Sequence, residues 1–460
     1  MSDAPFELAP PSPHPLARLF DAGTVRARCA AISRSVANNV SSHFTLDRSR
    51  LPEAAERVAA LTLRRFPDLR IPYHSRWRHF EAGGVDRKAE LDGLLAGRSV
   101  AEVARARFDL TVLSVLLDAG AGGRWHYAER HAVDAAALPL QRHGSDELLA
   151  LLDQAAKGPA AAVEAGGTGS VYTRSEGLAV ASLRAFVAGV FSASTSDPLR
   201  ADAATLKLVD PAVLRGVFQV TPGNPMVGLE GRAALIARLG EALAAEAERS
   251  GLEARPGLLY DQLSAGGSRA SVSATEVLGA VLRLLSPIFT SGSRVQGLPA
   301  GDVWPHRWAG AAVGNAGTDP TTDGWVPFHK LSQWLSYSLL EPLQWAGVQV
   351  TGLDALTGLP EYRNGGLLID CGVIVPRDAR DLARTWKPGD EFVVEWRALT
   401  VTLLDELAVL VRQRLGKTAE ELPLACILEG GTWAAGREMA AELRSDGAPP
   451  LTIESDGTVF

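Results

Sequence analysis

Residues 230–251 read EGRAALIARLGEALAAEAERSG, and this stretch sets the fold class. Its Leu235, Ile236, Leu239 and Leu243 recur at three- and four-residue spacing, which lines one face of a helix. Gly251 stands where such a helix should stop. The same pattern recurs upstream. Residues 99–120 read SVAEVARARFDLTVLSVLLDAG and end on Gly120, and residues 52–66 read PEAAERVAALTLRRF with Pro52 near a first turn. Helical patterns of this kind dominate residues 14–290, so the chain is expected to be mainly α, with a few short strands. Residues 1–13 read as a flexible arm. Residues 291–460 read as a C-terminal catalytic region, forming one continuous globular unit with the helical part.

Composition narrows the function. The 460 residues are 46% hydrophobic, ample for a large core. The formal charge is −7 and no long basic run occurs, so nucleic acid is not an expected partner. The apolar stretches are too short or too often charged to span a bilayer. The opening MSDAPFELAPPSPHP has no basic segment followed by an apolar one, so a cytoplasmic protein is expected. Cys29, Cys371 and Cys426 are too few for a disulfide framework and lack zinc spacing. The histidines form no HExxH or other metal pair. No GxSxG elbow occurs. The Gly-rich EAGGTGS at 164–170 lacks a phosphate-loop lysine and reads as linker. Neither metal nor cofactor is expected, and nothing specifies an oligomeric state.

The character changes near residue 290. Eight of ten tryptophans lie at or beyond Trp304, and residues 301–325 gather Gly, Asp and His in GDVWPHRWAGAAVGNAGTDPTTDGW. This reads as an ordered functional loop, with simple Trp packing as the alternative. In VPFHKLSQWLSYSLLEPLQWAG a helix is expected over Phe328–Glu341, disturbed by Pro342 and ended by Gly347. Turning about 100° per residue, it sets Lys330, Trp334, Tyr337 and Glu341 on one stripe, either a pocket wall or a solvated face. In LTGLPEYRNGGLLIDCGVIVPRD, Gly365 and Gly366 predict a tight turn after Glu361 and Arg363. Asp370 lies beyond among apolar residues, as a cap, a paired structural acid or a site residue. EFVVEWRALTVTLLDELAVLVRQRLG reads as an extended piece running into a long helix. LACILEGGTWAAGREMAAELR should present Glu429 at the start of a helix. Carboxylates, aromatics and a well-placed lysine suit cleavage of a glycosidic bond, whose cationic transition state a carboxylate stabilises.

The segments IPYHSRWRHF, GDVWPHRWAG, VPFHKLSQWLSYSLLEPL, LTGLPEYRNGGLLIDCGVIVPRD and EGGTWAAGREM carry a resemblance. Over nearly its whole length the chain resembles the uracil-catabolism protein family of fungi and bacteria, formerly labelled a domain of unknown function. In that pathway a uracil nucleotide is ring-opened, which implies a ribosyl-urea, or its 5′-phosphate, from which urea must be separated. The C-terminal third is similar, more distantly, to queuosine-salvage N-glycosidases, helical proteins related in shape to DNA glycosylases. Their pattern is met here by Phe328-His329-Lys330 with Gln333, by Glu361-Tyr362-Arg363, by Glu395-Trp396-Arg397 and by Glu429. The resemblance implies that Glu361 takes the place of the catalytic aspartate, one methylene longer. It gives Lys330 the role of pocket lysine and Glu429 that of second acid, binding urea or, with its pKa raised by burial, protonating the departing nitrogen. Trp304, Trp334 and Trp433 become candidate walls, and Arg76, Arg78 and His79 candidates for a phosphate. Tyr362, Arg363, Gln333, His329, His306 and Asp370 complete the expected substrate-binding set. The implied activity is an N-ribosyl hydrolase. The alternatives are an amidohydrolase acting on the ring-opened pyrimidine nucleotide and a non-catalytic pathway scaffold.

Overall fold

Apolar periodicity becomes helix along most of the chain in the computed structural model, which describes residues 16–129, 170–289, 292–310 and 321–454. The expected arm at 1–13 and nearly all of the Gly-rich run at 164–170 lie outside the described residues. Leu51–Arg65 starts with Pro52 in its first turn, where a missing N–H costs nothing. Val100–Leu116 starts on a capping box, Ser99 accepting from the Glu102 backbone and Glu102 reaching back. Leu229–Ser250 stops at Gly251, whose φ of 72° is left-handed and suits glycine.

Two of the central helices are buried on every side over most of their length. Val100–Leu116 is buried without a break from Ala106 to Leu116, and Lys330–Trp345 from Leu331 to Leu340. They pack on each other, as the absence of an exposed face along these runs demands. A third, Glu391–Leu415, lies between Ala22–Ala37 and Leu51–Arg65.

Two local expectations fail here for packing reasons. EFVVEW is not extended: helix begins at Glu391, and Phe392 to Val401 are all buried. Burial on all sides erases the periodicity that separates helix from strand. Gly365 and Gly366 make no turn; they lie inside the helix Tyr362–Asp370. A Cβ on Gly365 would press into the Trp396 ring (2.5 Å from Cε2) and come within 2.7 Å of Thr400 Oγ1. Glycine is there for close approach of helices. Gly436 acts likewise, since a Cβ there would collide with the carbonyl of Arg363, so Tyr362–Asp370 and Trp433–Leu443 pack in direct contact.

Among the described residues strand structure is limited to short two-stranded pairings. Phe44–Leu46 runs antiparallel to Ile374–Pro376, and Ser271–Ser273 parallel to Gln349–Thr351. Both pairings tie the part before residue 290 to the part after it, and the main hydrophobic core runs from Ala22 to Ile453. None of the described helices is long and apolar enough to cross a membrane.

Candidate active site

Several segments of the chain meet at a cavity of about 390 Å³, and three of them carry most of its expected site residues. The first is the start of Lys330–Trp345. His329 precedes it at φ 48°, left-handed and strained for a non-glycine, and is held by its Nε2 bond to the Leu19 carbonyl at 2.7 Å. Asp302 accepts from the Lys330 backbone N–H at 3.0 Å and from Trp304 Nε1 at 2.7 Å. Arg397 grips the same carboxylate with two bonds of 2.7 and 2.6 Å. Burial alone would raise the Asp302 carboxyl; Arg397 and these donors overcome it and hold it at about 2. The clamp sets the helix start, and with it Lys330, against the cavity. Among the described residues the Lys330 ammonium has no ion-pair partner. Trp334 follows one turn on, with His79 edge-on at 5.7 Å between centroids and the Arg76 guanidinium over its ring at 5.6 Å. The four-residue stripe then leaves the cavity. Tyr337 donates to the Thr357 carbonyl at 2.9 Å, and Glu341 accepts from Ser75 at 2.6 Å and Arg78 at 2.9 Å.

The second segment is Leu359–Arg363. Glu361 has extended backbone and caps the helix Tyr362–Asp370 with its own carboxylate. Oε1 accepts from Asn364 N at 2.6 Å and Oε2 from Arg363 N at 2.8 Å. A side chain bound at both oxygens cannot swing, and it lines the cavity beside Tyr362 and Arg363. The Tyr362 hydroxyl is pushed up to about 12, first by burial and then by the Glu361 charge.

The third segment is the helical run Leu424–Leu443. Gly430 and Gly431 do not break it; Leu428–Thr432 forms a π turn, so Glu429 lies inside the run and not at a fresh helix start. The glycines let this turn sit on Leu51–Arg65, where a Cβ at Gly431 would stand 2.7 Å from the Val58 carbonyl. Glu429 is bonded to Arg65 at 3.0 Å and to His74 Nδ1 at 2.8 Å. Burial raises its carboxyl, but the His74 bond and the His74 and Arg65 charges outweigh burial and hold it below the usual range. The expectation of a carboxyl raised by burial is thereby corrected: Glu429 is an ionised partner of His74. Among the described residues His74 makes no bond through Nε2, and it lines the cavity together with Trp433.

The cavity thus brings together Lys330, Trp334, Glu361, Tyr362, Arg363, Trp433 and His79 of the expected set, with Glu429 behind His74. It does not bring the others. Gln333 is buried against Thr357, accepting from its N–H at 2.9 Å, and His329 is bound to Leu19. Trp304 serves Asp302. His306 is fully buried within 3.8 Å of Glu395. Asp370 is ion-paired with Arg444 at 2.9 and 2.5 Å. The phosphate candidates are also corrected. Arg76 is buried between Ser114 and Asp118, at 2.6 and 3.1 Å. Arg78 is spent on Glu341 and Glu81. His79 is held well below the ordinary histidine value, first by burial and then by Arg76, and its Nδ1 is sealed from solvent without a partner. Sequence reading missed His74, Arg174, Arg437 and the Gly120–Gly123 loop, all at the cavity. Gly120 was legible only as a helix stop. Among the described residues no group of three His, Cys, Asp or Glu side chains is placed to hold a metal ion.

Comparison with known proteins matches residues 18–142 and 148–460 to the family described as a protein of unknown function (DUF1688). The chain is similar to protein urg3 of Schizosaccharomyces pombe, at 34% identity over 97% of this chain and 99% of that one. It is similar also to uracil catabolism protein 4 of Lachancea kluyveri, at 36% identity over 91% of this chain and 92% of the other.

Proposed function

The chain belongs to the DUF1688 family, and from that premise we propose an N-ribosyl hydrolase of uracil catabolism, cleaving urea from a ribosyl-urea. The pathway is suggested by the name of the Lachancea kluyveri relative. The observation that carries the reaction is Glu361: a carboxylate fixed by two backbone N–H groups at the wall of a cavity. As the C1–N bond lengthens, the electron pair leaves with the urea nitrogen and positive charge builds on the sugar. A charge already fixed beside that carbon stabilises the transition state without reorganising. The same role for this position is what the queuosine-salvage resemblance implies.

The leaving nitrogen needs a proton. Glu429, held ionised, accepts from His74 Nδ1–H, which leaves Nε2 to serve the cavity. In this reading protonated His74 gives the Nε2 proton to urea. Water adds to C1 and its released proton restores the imidazolium, so the sum is ribosyl-urea plus water to ribose and urea. Trp334 and Trp433 offer flat walls for the planar leaving group. Lys330 reaches the same space as a donor to a sugar hydroxyl.

The test is a product assay on ribosyl-urea and its phosphate, reading reducing sugar, urea and ammonia together. Stoichiometric sugar and urea support the hydrolase. Ammonia without sugar makes it an amidohydrolase, and no turnover leaves it a scaffold.

A further inference from the structure

We infer that the same cavity carries a subsite for a phosphate monoester, built from the Gly120–Gly123 loop, the start of the helix Arg174–Val187, and the arginines Arg174, Arg363 and Arg437. It rests on the hydrolase reading only for the identity of the sugar that bears the phosphate.

The first observation is the loop, DAGAGG at 118–123. Two of its carbonyls are used inside the fold. Ala119 O accepts from Arg232 at 2.6 Å, and Ala121 O from Val227 N at 3.0 Å. Its amides are not: the N–H groups of Gly120, Ala121, Gly122 and Gly123 have no acceptor among the described residues. Gly122 stands at φ 87°, and a Cβ there would touch Val227 Cγ2 at 3.0 Å. A run of four unpartnered backbone donors in a Gly-rich loop at a cavity is an arrangement that can cradle a phosphate.

The second observation is charge. Of the acids at the cavity, Asp118 is matched by Arg76 at 3.1 Å and Glu361 by two amides. Glu176 is met by Arg437 at 3.5 Å. Arg174 has no bond or ion pair among the described residues, and Arg363 donates to a carbonyl, Gly447 O, at 3.0 Å. Arg174, Arg363 and Arg437 line the same cavity. Burial lowers Arg363 first, Glu361 opposes that, and Arg174 and Arg437 lower it further. Like charges gathered at one wall favour an anion between them.

The third is the helix Arg174–Val187, whose first turn has no side-chain cap and lies at the cavity with Arg174 at φ 53°. Its free N–H groups and dipole favour a dianion. Three donor types converge on one ligand chemistry, a tetrahedral dianion with several acceptor oxygens. On the proposed substrate this is the 5′-phosphate of the ribose.

The test measures binding, not turnover. Ribose 5-phosphate and ribose are titrated into the full-length protein by calorimetry at low and high salt. Ribose 5-phosphate should bind at least about 100-fold more tightly, with an affinity that falls as salt rises. Arg174→Ala, which removes an exposed and unpartnered side chain, should weaken it about 10–100-fold. Glu176→Gln should tighten it. Equal binding of the two sugars, or an Arg174→Ala variant that is folded and unchanged, overturns the subsite. The two readings fail separately. Tight ribose 5-phosphate binding without cleavage of the phosphorylated ribosyl-urea sinks the hydrolase and keeps the subsite. Equal kcat/KM on ribosyl-urea with and without phosphate does the reverse.

Discussion

Replacing Glu361 by Gln removes one negative charge while nearly preserving shape, and its effect can be sized from the site. Two unit charges about 4 Å apart interact by roughly 4 kcal/mol at an effective dielectric near 20. That corresponds to about a thousandfold in rate. The same side chain caps a helix through both oxygens, so Gln, whose amide offers one acceptor, also costs about 1 kcal/mol of stability. The two losses must be separated. Glu361→Asp keeps the charge and is itself a good cap, but draws the carboxylate back by one methylene. Gln is therefore expected to lower kcat by about 10³ with a slightly lower melting temperature. Asp should lower kcat by about 10–100-fold with little change in melting. The assay is single-turnover release of reducing sugar from ribosyl-urea 5′-phosphate, run beside thermal melts of each variant. A folded Glu361→Gln protein within tenfold of the parent rate would refute the electrostatic argument and leave Glu361 as a cap alone.

Other outcomes follow from the same geometry. His74→Gln should lower kcat by about 10²–10⁴-fold with the fold intact, and Glu429→Gln, which leaves His74 without its carboxylate, should lower it too; unchanged rates in both would exclude the pair from proton transfer. His329 is buried and neutral, its pKa lowered first by burial, so the unfolded chain takes up a proton below about pH 6.5 that the folded chain refuses. Stability should accordingly fall as pH drops through that window, by up to about 1.4 kcal/mol per pH unit. Chemical denaturation at pH 7.5, 6.5 and 5.5 reads the slope; His79, also held low by burial, adds to it in the same direction, so His329→Gln should reduce the slope without abolishing it. Glu429 acts lower: its depressed carboxyl contributes stability above about pH 4.5 that is lost as pH falls further. Gly365→Ala gains about 1 kcal/mol of helix propensity but overpacks Trp396 and Thr400 at a cost of about 1–3 kcal/mol. A net loss of stability in urea is expected, and a gain would show that the Trp396 ring moves freely.

The mainly helical fold was legible because amphipathic helices such as Leu229–Ser250 show their period in one dimension. Helices buried on all faces do not, which is why Glu391–Trp396 reads as extended. Glycine was ambiguous for a related reason. Gly251 ends a helix by its left-handed φ, whereas Gly365 and Gly431 sit inside helical runs because another element approaches them, and no local signal distinguishes the two uses. Of the site, Lys330, Trp334, Glu361 and Trp433 were legible from motif context. Gln333, His329, Trp304 and His306 share that context, yet they support the segment and do not face the cavity. Arg174 and the Gly120–Gly123 loop come from remote segments whose meeting is a matter of tertiary packing. The partner of Glu429 could not be read from spacing, since His74 lies on the other side of the molecule's sequence.

The π turn at Leu428–Thr432 has a geometric consequence. Such a turn is an α-helix carrying one surplus residue. Each residue of a regular helix advances the azimuth by about 100°, so the surplus sets the angular phase of everything downstream. Trp433 and Arg437 owe their heading toward the cavity to that single added step. Excising either Gly430 or Gly431 would leave the composition of the wall intact and rotate it out of use.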